Sequence, residues 1–170
     1  LAPFLVLGVG HLDIGAAAEL SNPALYKHYE SKEALARELR RAPVEVTLVD
    51  RRNHHLFQPL LYQVATAGLS AVDVGEPIRK VLRRQRNVRV IEDTVVDIRA
   101  GEVMTKHGTH QFDWLVVAAG ATHHYFGHDL WEDYAPGLKT LPDATRLRAT
   151  ILEAFEKAER SGRGDLNFLV

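Results

Sequence analysis

Apolar positions in this chain fall in short continuous runs, separated by stretches whose apolar residues recur at helical spacing. Residues 3–10 (PFLVLGVG) form an apolar run ending in glycines, which reads as a buried strand entering a tight turn. Residues 12–20 are Ala-rich and read as helix, interrupted at Ser21-Asn22-Pro23, where Pro23 suits the first turn of a new helix. Ser31 is a candidate N-cap for a third helix reaching Arg41. Residues 44–50 (VEVTLVD) and 88–91 read as strands, and 115–118 (LVVA) as a buried strand entering Gly120. Residues 56–69 lack clean periodicity and read as loop with a short helix. An amphipathic helix is predicted over 74–84, with Ile78, Val81 and Leu82 on one face. Residues 95–98, 102–106 and 110–112 suggest a small antiparallel meander, turning at Ala100-Gly101 and His107-Gly108. Pro142 and Asp143 open a helix to about Glu159, and 165–170 begin another strand. The alternation of strands and helices predicts an α/β fold with a parallel sheet and helices on both faces.

Composition adds limits rather than identity. The 170 residues carry 25% charged and 46% apolar side chains, ordinary for a globular domain. A formal net charge of −1 gives no global attraction to nucleic acid or anionic lipid. The absence of Cys rules out disulfides and thiol redox chemistry, so any electron transfer needs a bound cofactor. No apolar run reaches the length of a membrane span, and residues 1–10 lack the pattern of a signal peptide, so a cytoplasmic location is expected.

A dinucleotide site needs a strand, a Gly-rich turn, a helix N-terminus and a distal acid for the ribose hydroxyls. Gly8 and Gly10 supply the beginning of such a turn, but Asp13 stands at the third glycine position. Asp50 ends a strand as the acid should, yet lies 42 residues after Gly8 (50 − 8), where about 20 is usual. On these features, dinucleotide binding and a glycine turn in an unrelated α/β protein both stay open.

Residues 40–59 (RRAPVEVTLVDRRNHHLFQP), 60–69 (LLYQVATAGL) and 114–140 (WLVVAAGATHHYFGHDLWEDYAPGLKT) resemble type II NADH:quinone oxidoreductases, members of the two-dinucleotide-domain flavoprotein group. The likeness runs from about Leu39 to the C-terminus. It implies a Rossmann-like FAD-binding domain over 1–164, and a start of an NADH-binding domain at 165–170. Asp50 matches the acid that binds the adenosine ribose of FAD, followed by Arg51. Val95 matches a residue whose backbone meets the adenine. Ala118-Ala119-Gly120 matches a family Ala-Thr-Gly turn close to the cofactor, with Ala119 replacing the Thr. Pro59 and Leu60 match the loop approaching the flavin. The family reaction passes hydride from NADH to FAD and then reduces a quinone. Complete members sit peripherally on the inner face of the cytoplasmic membrane. Because the likeness covers part of the FAD half, the expectation is an FAD-domain fragment with weak or partial FAD binding, inactive alone, and not associated with a membrane.

Residues 13–36 (DIGAAAELSNPALYKHYESKEALA) resemble a second family, the helix-turn-helix of tetracycline-repressor-type regulators. As a DNA-binding alternative it would place Ser21, Asn22, Tyr26, Lys27 and His28 on a recognition helix. The segment lacks the motif's first helix and the dimer-forming domain. It is therefore read as an atypical helical insertion over 13–38 without a nucleic-acid partner.

The His54-His55 and His123-His124 pairs invite a metal reading, but neighbours on extended chain point to opposite faces, and no metal is expected. His107 and His110 read as solvated residues flanking a turn. The basic run 79–86 (RKVLRRQR) reads as the wet face of a helix. Leu56, Phe57, Leu60, Leu61 and Tyr62 suit a core better than a quinone or lipid contact. No catalytic constellation of protein groups stands out, which suits a protein whose cofactor does the chemistry.

Overall fold

The computed structural model describes residues 2–8, 31–118, 120–162, 166 and 168, with side chains described from Ser31 onward. The helices expected over 12–30 and the strand expected over 165–170 lie outside the described residues or are described only at Leu166 and Phe168. The chain divides into two compact units, residues 1–55 with 77–122 and residues 56–76 with 123–170.

Unit 1 is built on a parallel sheet. Strands β1 (Ala2–Gly8), β2 (Val44–Asp50), β5 (Val88–Glu92) and β9 (Trp114–Val117) lie in the order β5-β2-β1-β9. The four runs read as strands from their apolar character all join this sheet. Their alternating side chains feed two separate cores. Val46 and Leu48 of β2 pack with Ile78 and Leu82, and with Ala36 of helix α1 (Lys32–Glu38), all buried; Val88, Val90 and Val116 join them. On the opposite face Val49 packs with buried Val95 and Val103, joined by Ile91, Leu115 and Val117.

That second face departs from expectation. Among the described residues it is covered by an antiparallel meander, β6 (Val95–Arg99), β7 (Glu102–Thr105) and β8 (Gly108–Gln111), rather than by a helix. The meander agrees with its alternating sequence pattern, although its second turn lies one residue earlier than expected, at Lys106-His107, because Gly108 already pairs with Thr105. Ser31 caps α1 as its side chain accepts a bond from Ala34 N at 3.1 Å. The helix then tightens into a 3-10 turn, Leu39–Arg41.

The expected helix over 74–84 is a correction. Helix α3 (Ala71–Val74) ends where Gly75–Glu76 becomes strand β4, the strand after the two-residue β3 (His55–Leu56), and α4 spans only Ile78–Val81. Pro77 has no amide to continue the ladder and disfavours helical backbone at Glu76. The apolar face is nevertheless as expected: Ile78 and Leu82 are buried and Val81 partly so.

In unit 2, a 3-10 turn (Gln58–Leu60) leads into α2 (Leu61–Ala65). Leu61, Val64, Ala65 and Val74 pack with Ala144 of α5 (Leu141–Ser161). Thr140 caps α5 through a reciprocal box. Its hydroxyl accepts from Asp143 N at 3.2 Å, while Asp143 Oδ2 accepts from Thr140 N at 2.8 Å. Leu61 and Leu60 are core residues, as the sequence suggested, whereas Phe57 and Tyr62 are more than half exposed. No helix among the described residues is long and apolar enough to cross a membrane.

Candidate functional site

The parallel strands of unit 1 end in register. Gly8 of β1 lies opposite Asp50 of β2, Asp50 opposite Glu92 of β5, and Leu7 opposite Val117 of β9. Chain order reverses between β1 and its two neighbours, and open α/β sheets bind ligands at the carboxyl ends of strands at such a point. The structure therefore brings Gly8, Asp50, Ala118 and Gly120 to one end of one sheet.

Asp50 is buried, and both its carboxylate oxygens are engaged. Arg52 N donates to Oδ1 at 2.9 Å, and the Lys32 ammonium lies 2.7 Å from Oδ2. Lys32 also lies 3.3 Å from Glu33 Oε1, and Glu33 Oε2 pairs with His55 Nδ1 at 3.1 Å. Burial alone would lower the Lys32 pKa, but the charges and hydrogen bonds of Glu33 and Asp50 outweigh it and hold it raised. Burial would likewise raise Glu33. The His55 hydrogen bond and the Lys32 charge more than reverse this and hold it at about 2. Sequence reasoning missed this network. The adjacent Lys32 and Glu33 lie far along the chain from Asp50 and His55, and the His54-His55 pair suggests only a metal.

The network carries a pH prediction. Glu33 ionises more readily folded than at its ordinary value of 4.5, so its contribution to stability is complete above that pH. It is lost as pH falls through about 2. Urea-unfolding stability is expected to decline across that window, and Glu33→Gln to flatten the decline; parallel curves for both proteins would show the network has no such role.

The remaining predicted positions divide. Val95 opens β6 with its side chain buried in the core, which leaves its backbone as the group able to meet a ligand. Arg51 is exposed. Gly120 has φ +72, and a Cβ there would meet nothing within 4 Å, so its backbone faces open space. Pro59 and Leu60 belong to unit 2, in the turn before α2. Gly10 and Ala119 lie outside the described residues, as do Ser21, Asn22, Tyr26, Lys27 and His28.

Among the other histidines, His107 is solvent-facing as expected. Its Nδ1 nevertheless lies 3.0 Å from Asp93 Oδ1. Burial opposes ionisation of Asp93, but hydrogen bonds from Thr105, the Thr94 amide and His107 hold its carboxyl well below the usual range. Among the described residues no group of three His, Asp or Glu could hold a metal.

A family model described as pyridine nucleotide-disulphide oxidoreductase matches residues 33–160. The type II NADH:quinone oxidoreductase Ndh of Mycobacterium tuberculosis is 49% identical over 132 residues, covering 74% of this chain and 28% of that protein. The corresponding protein of Staphylococcus aureus (strain NCTC 8325 / PS 47) is 28% identical over 166 residues, covering 97% of this chain and 38% of its own. Among solved structures, NDH2 from Plasmodium falciparum in complex with NADH superposes with a TM-score of 0.68 at 21% identity, over 93% of this chain and 30% of that one. At that identity the likeness shows the fold. The chain thus spans about 28% of the length of its Mycobacterium tuberculosis relative.

Proposed function

Because this chain belongs to the pyridine nucleotide-disulphide oxidoreductase family, we propose that unit 1 holds FAD by its adenosine end, as the FAD-binding part of an NADH:quinone oxidoreductase. The observation that carries this reading is Asp50, a buried carboxylate at the end of β2 in register with Gly8. The donor set fits. An ionised carboxylate has about four acceptor directions, of which Arg52 N and Lys32 take two, leaving room for ribose hydroxyls. Three residues on, Asn53 Oδ1 is buried without a partner, a second acceptor suited to a ligand rich in donors.

FAD, when bound, supplies a flavin that accepts hydride and passes electrons on, the chemistry contained in the name of the Mycobacterium tuberculosis relative. The protein groups bind and orient it. Asp50 accepts from the ribose, with Arg51 beside it, and the Val95 backbone meets the adenine. Gly8 and Gly120, with the backbone at Ala118, let the cofactor approach the strand ends. The Lys32 ammonium shares the Asp50 carboxylate with the ribose, so binding is weak.

Titrating FAD by fluorescence quenching tests this. Asp50→Ala is expected to weaken binding at least about tenfold, the loss of one charge-assisted hydrogen-bonding group. Equal affinity in the two proteins would refute the assignment.

A further inference from the structure

The other end of the same sheet carries a concave feature. Arg37, Arg40 and Arg41, from α1 and the turn after it, face Arg84 and Gln85, from the segment after α4, across a cleft of about 510 Å³. Val81, buried Leu82 and Glu38 also line it. These residues precede β2 and β5, whereas Asp50 and Glu92 end them. In parallel strands that places the cleft at the amino ends, opposite the proposed FAD site.

Four guanidinium groups in one cleft against a single carboxylate leave a strong positive excess. None of the four forms an ion pair among the described residues. Helix C-termini favour cations, which accounts for Arg37 in the last turn of α1. It does not account for Arg84, which lies beyond the end of α4. The wall of the cleft is also fixed in place. Gln85 lines the cleft and is only 9% exposed. Its Nε2 donates to Ala36 O at 2.6 Å and Asn87 Oδ1 at 3.0 Å, using both hydrogens, while its buried Oε1 has no partner.

We infer that this cleft binds a soluble small molecule that carries two or more phosphate groups beside a part that can pack on an apolar surface, the chemistry of a nucleoside polyphosphate. Arg matches phosphate oxygens in bidentate fashion. The volume lies within the range of small-molecule pockets. Val81 and Leu82 offer an apolar surface to the non-phosphate part. A flat lipid surface does not fill a concave cleft of this volume, and the net charge of −1 gives no pull toward nucleic acid.

The test is calorimetric titration of the full chain with inorganic triphosphate and with ATP, at fixed ionic strength. Saturable binding is expected for both, tighter for ATP. Arg40→Ala with Arg84→Ala, both exposed positions, is expected to weaken each at least tenfold while leaving FAD affinity unchanged. Asp50→Ala, which removes the proposed FAD contact, is expected to leave triphosphate binding intact, so the two sites fail or stand separately. The inference is overturned if triphosphate does not bind, if the double arginine variant binds it as well as the parent, or if phosphatidylglycerol vesicles bind where soluble triphosphate does not.

Discussion

Replacing Lys32 by methionine is expected to cost about 4 kcal/mol of stability, within the range seen when one partner of a buried ion pair is removed. The Lys32 side chain is 19% exposed and lies between two buried carboxylates, Asp50 and Glu33. Methionine keeps the length and the apolar stem but leaves both anions without this cation. Glu33 retains His55, while Asp50 retains the Arg52 amide, a neutral donor in place of a full charge. Glu33→Leu added to Lys32→Met removes one of the stranded charges and is expected to recover part of the loss. Urea unfolding followed by circular dichroism measures both. A loss under about 1 kcal/mol for the single variant would place the network among ordinary surface pairs.

Gly137→Ala should destabilise unit 2 by about 3 kcal/mol, the upper part of the usual overpacking range. The His123 ring lies against the Gly137 backbone so closely that a Cβ would fall within the ring. His123 is not free to swing without consequence. Its Nε2 is buried, and it lies 3.8 Å from Asp143 Oδ2, the oxygen that accepts from the amides of Lys139 and Thr140 at the start of α5. Displacing the ring therefore takes it away from the capping carboxylate and opens the local packing. The glycine is needed for space rather than for backbone freedom, since its φ is not positive. In a His123→Ala background the added methyl group meets no ring, and Gly137→Ala should become nearly neutral. Equal costs in both backgrounds, measured by denaturant midpoint, would contradict the steric explanation.

The sheet is legible in the sequence because its signals are local. Residues 44–50 and 88–91 carry the β-branched runs of buried strands, and the register that sets Gly8 beside Asp50 follows once those strands pair in parallel. Asp50 can be singled out because a charged residue ending such a run is conspicuous. The helix expected over 74–84 is too long because periodicity outweighs Gly75 and Pro77 in that reading, although both are breakers visible in the sequence. The covering of the second face is not legible, because meanders and helices both present apolar residues to a sheet, and only tertiary packing of Val95 and Val103 decides between them.

Polar partnerships are the least legible part. Lys32 meets Asp50 across 18 residues of sequence (50 − 32), and Glu33 meets His55 across 22. Neither spacing is a local rule such as the i,i+4 pairs of helices. Likewise, Gln85 reaches Ala36 and Asn87 reaches Leu39 and Val44, pinning the end of α1 to the start of β2. In the sequence these residues read only as part of, or next to, a wet basic stretch. His123 stands out in the sequence for its neighbour His124, while its packing partner Gly137 lies in a loop with no motif of its own.

Recognition of FAD through its adenosine end is tested most directly by comparing FAD with FMN, which carries the same flavin without the adenosine. Fluorescence titration of the purified chain is expected to give saturable FAD binding that excess AMP displaces, and no saturable binding of FMN. FMN binding as tight as FAD binding, or FAD retained against excess AMP, would contradict the assignment of Asp50 as the residue that holds the cofactor.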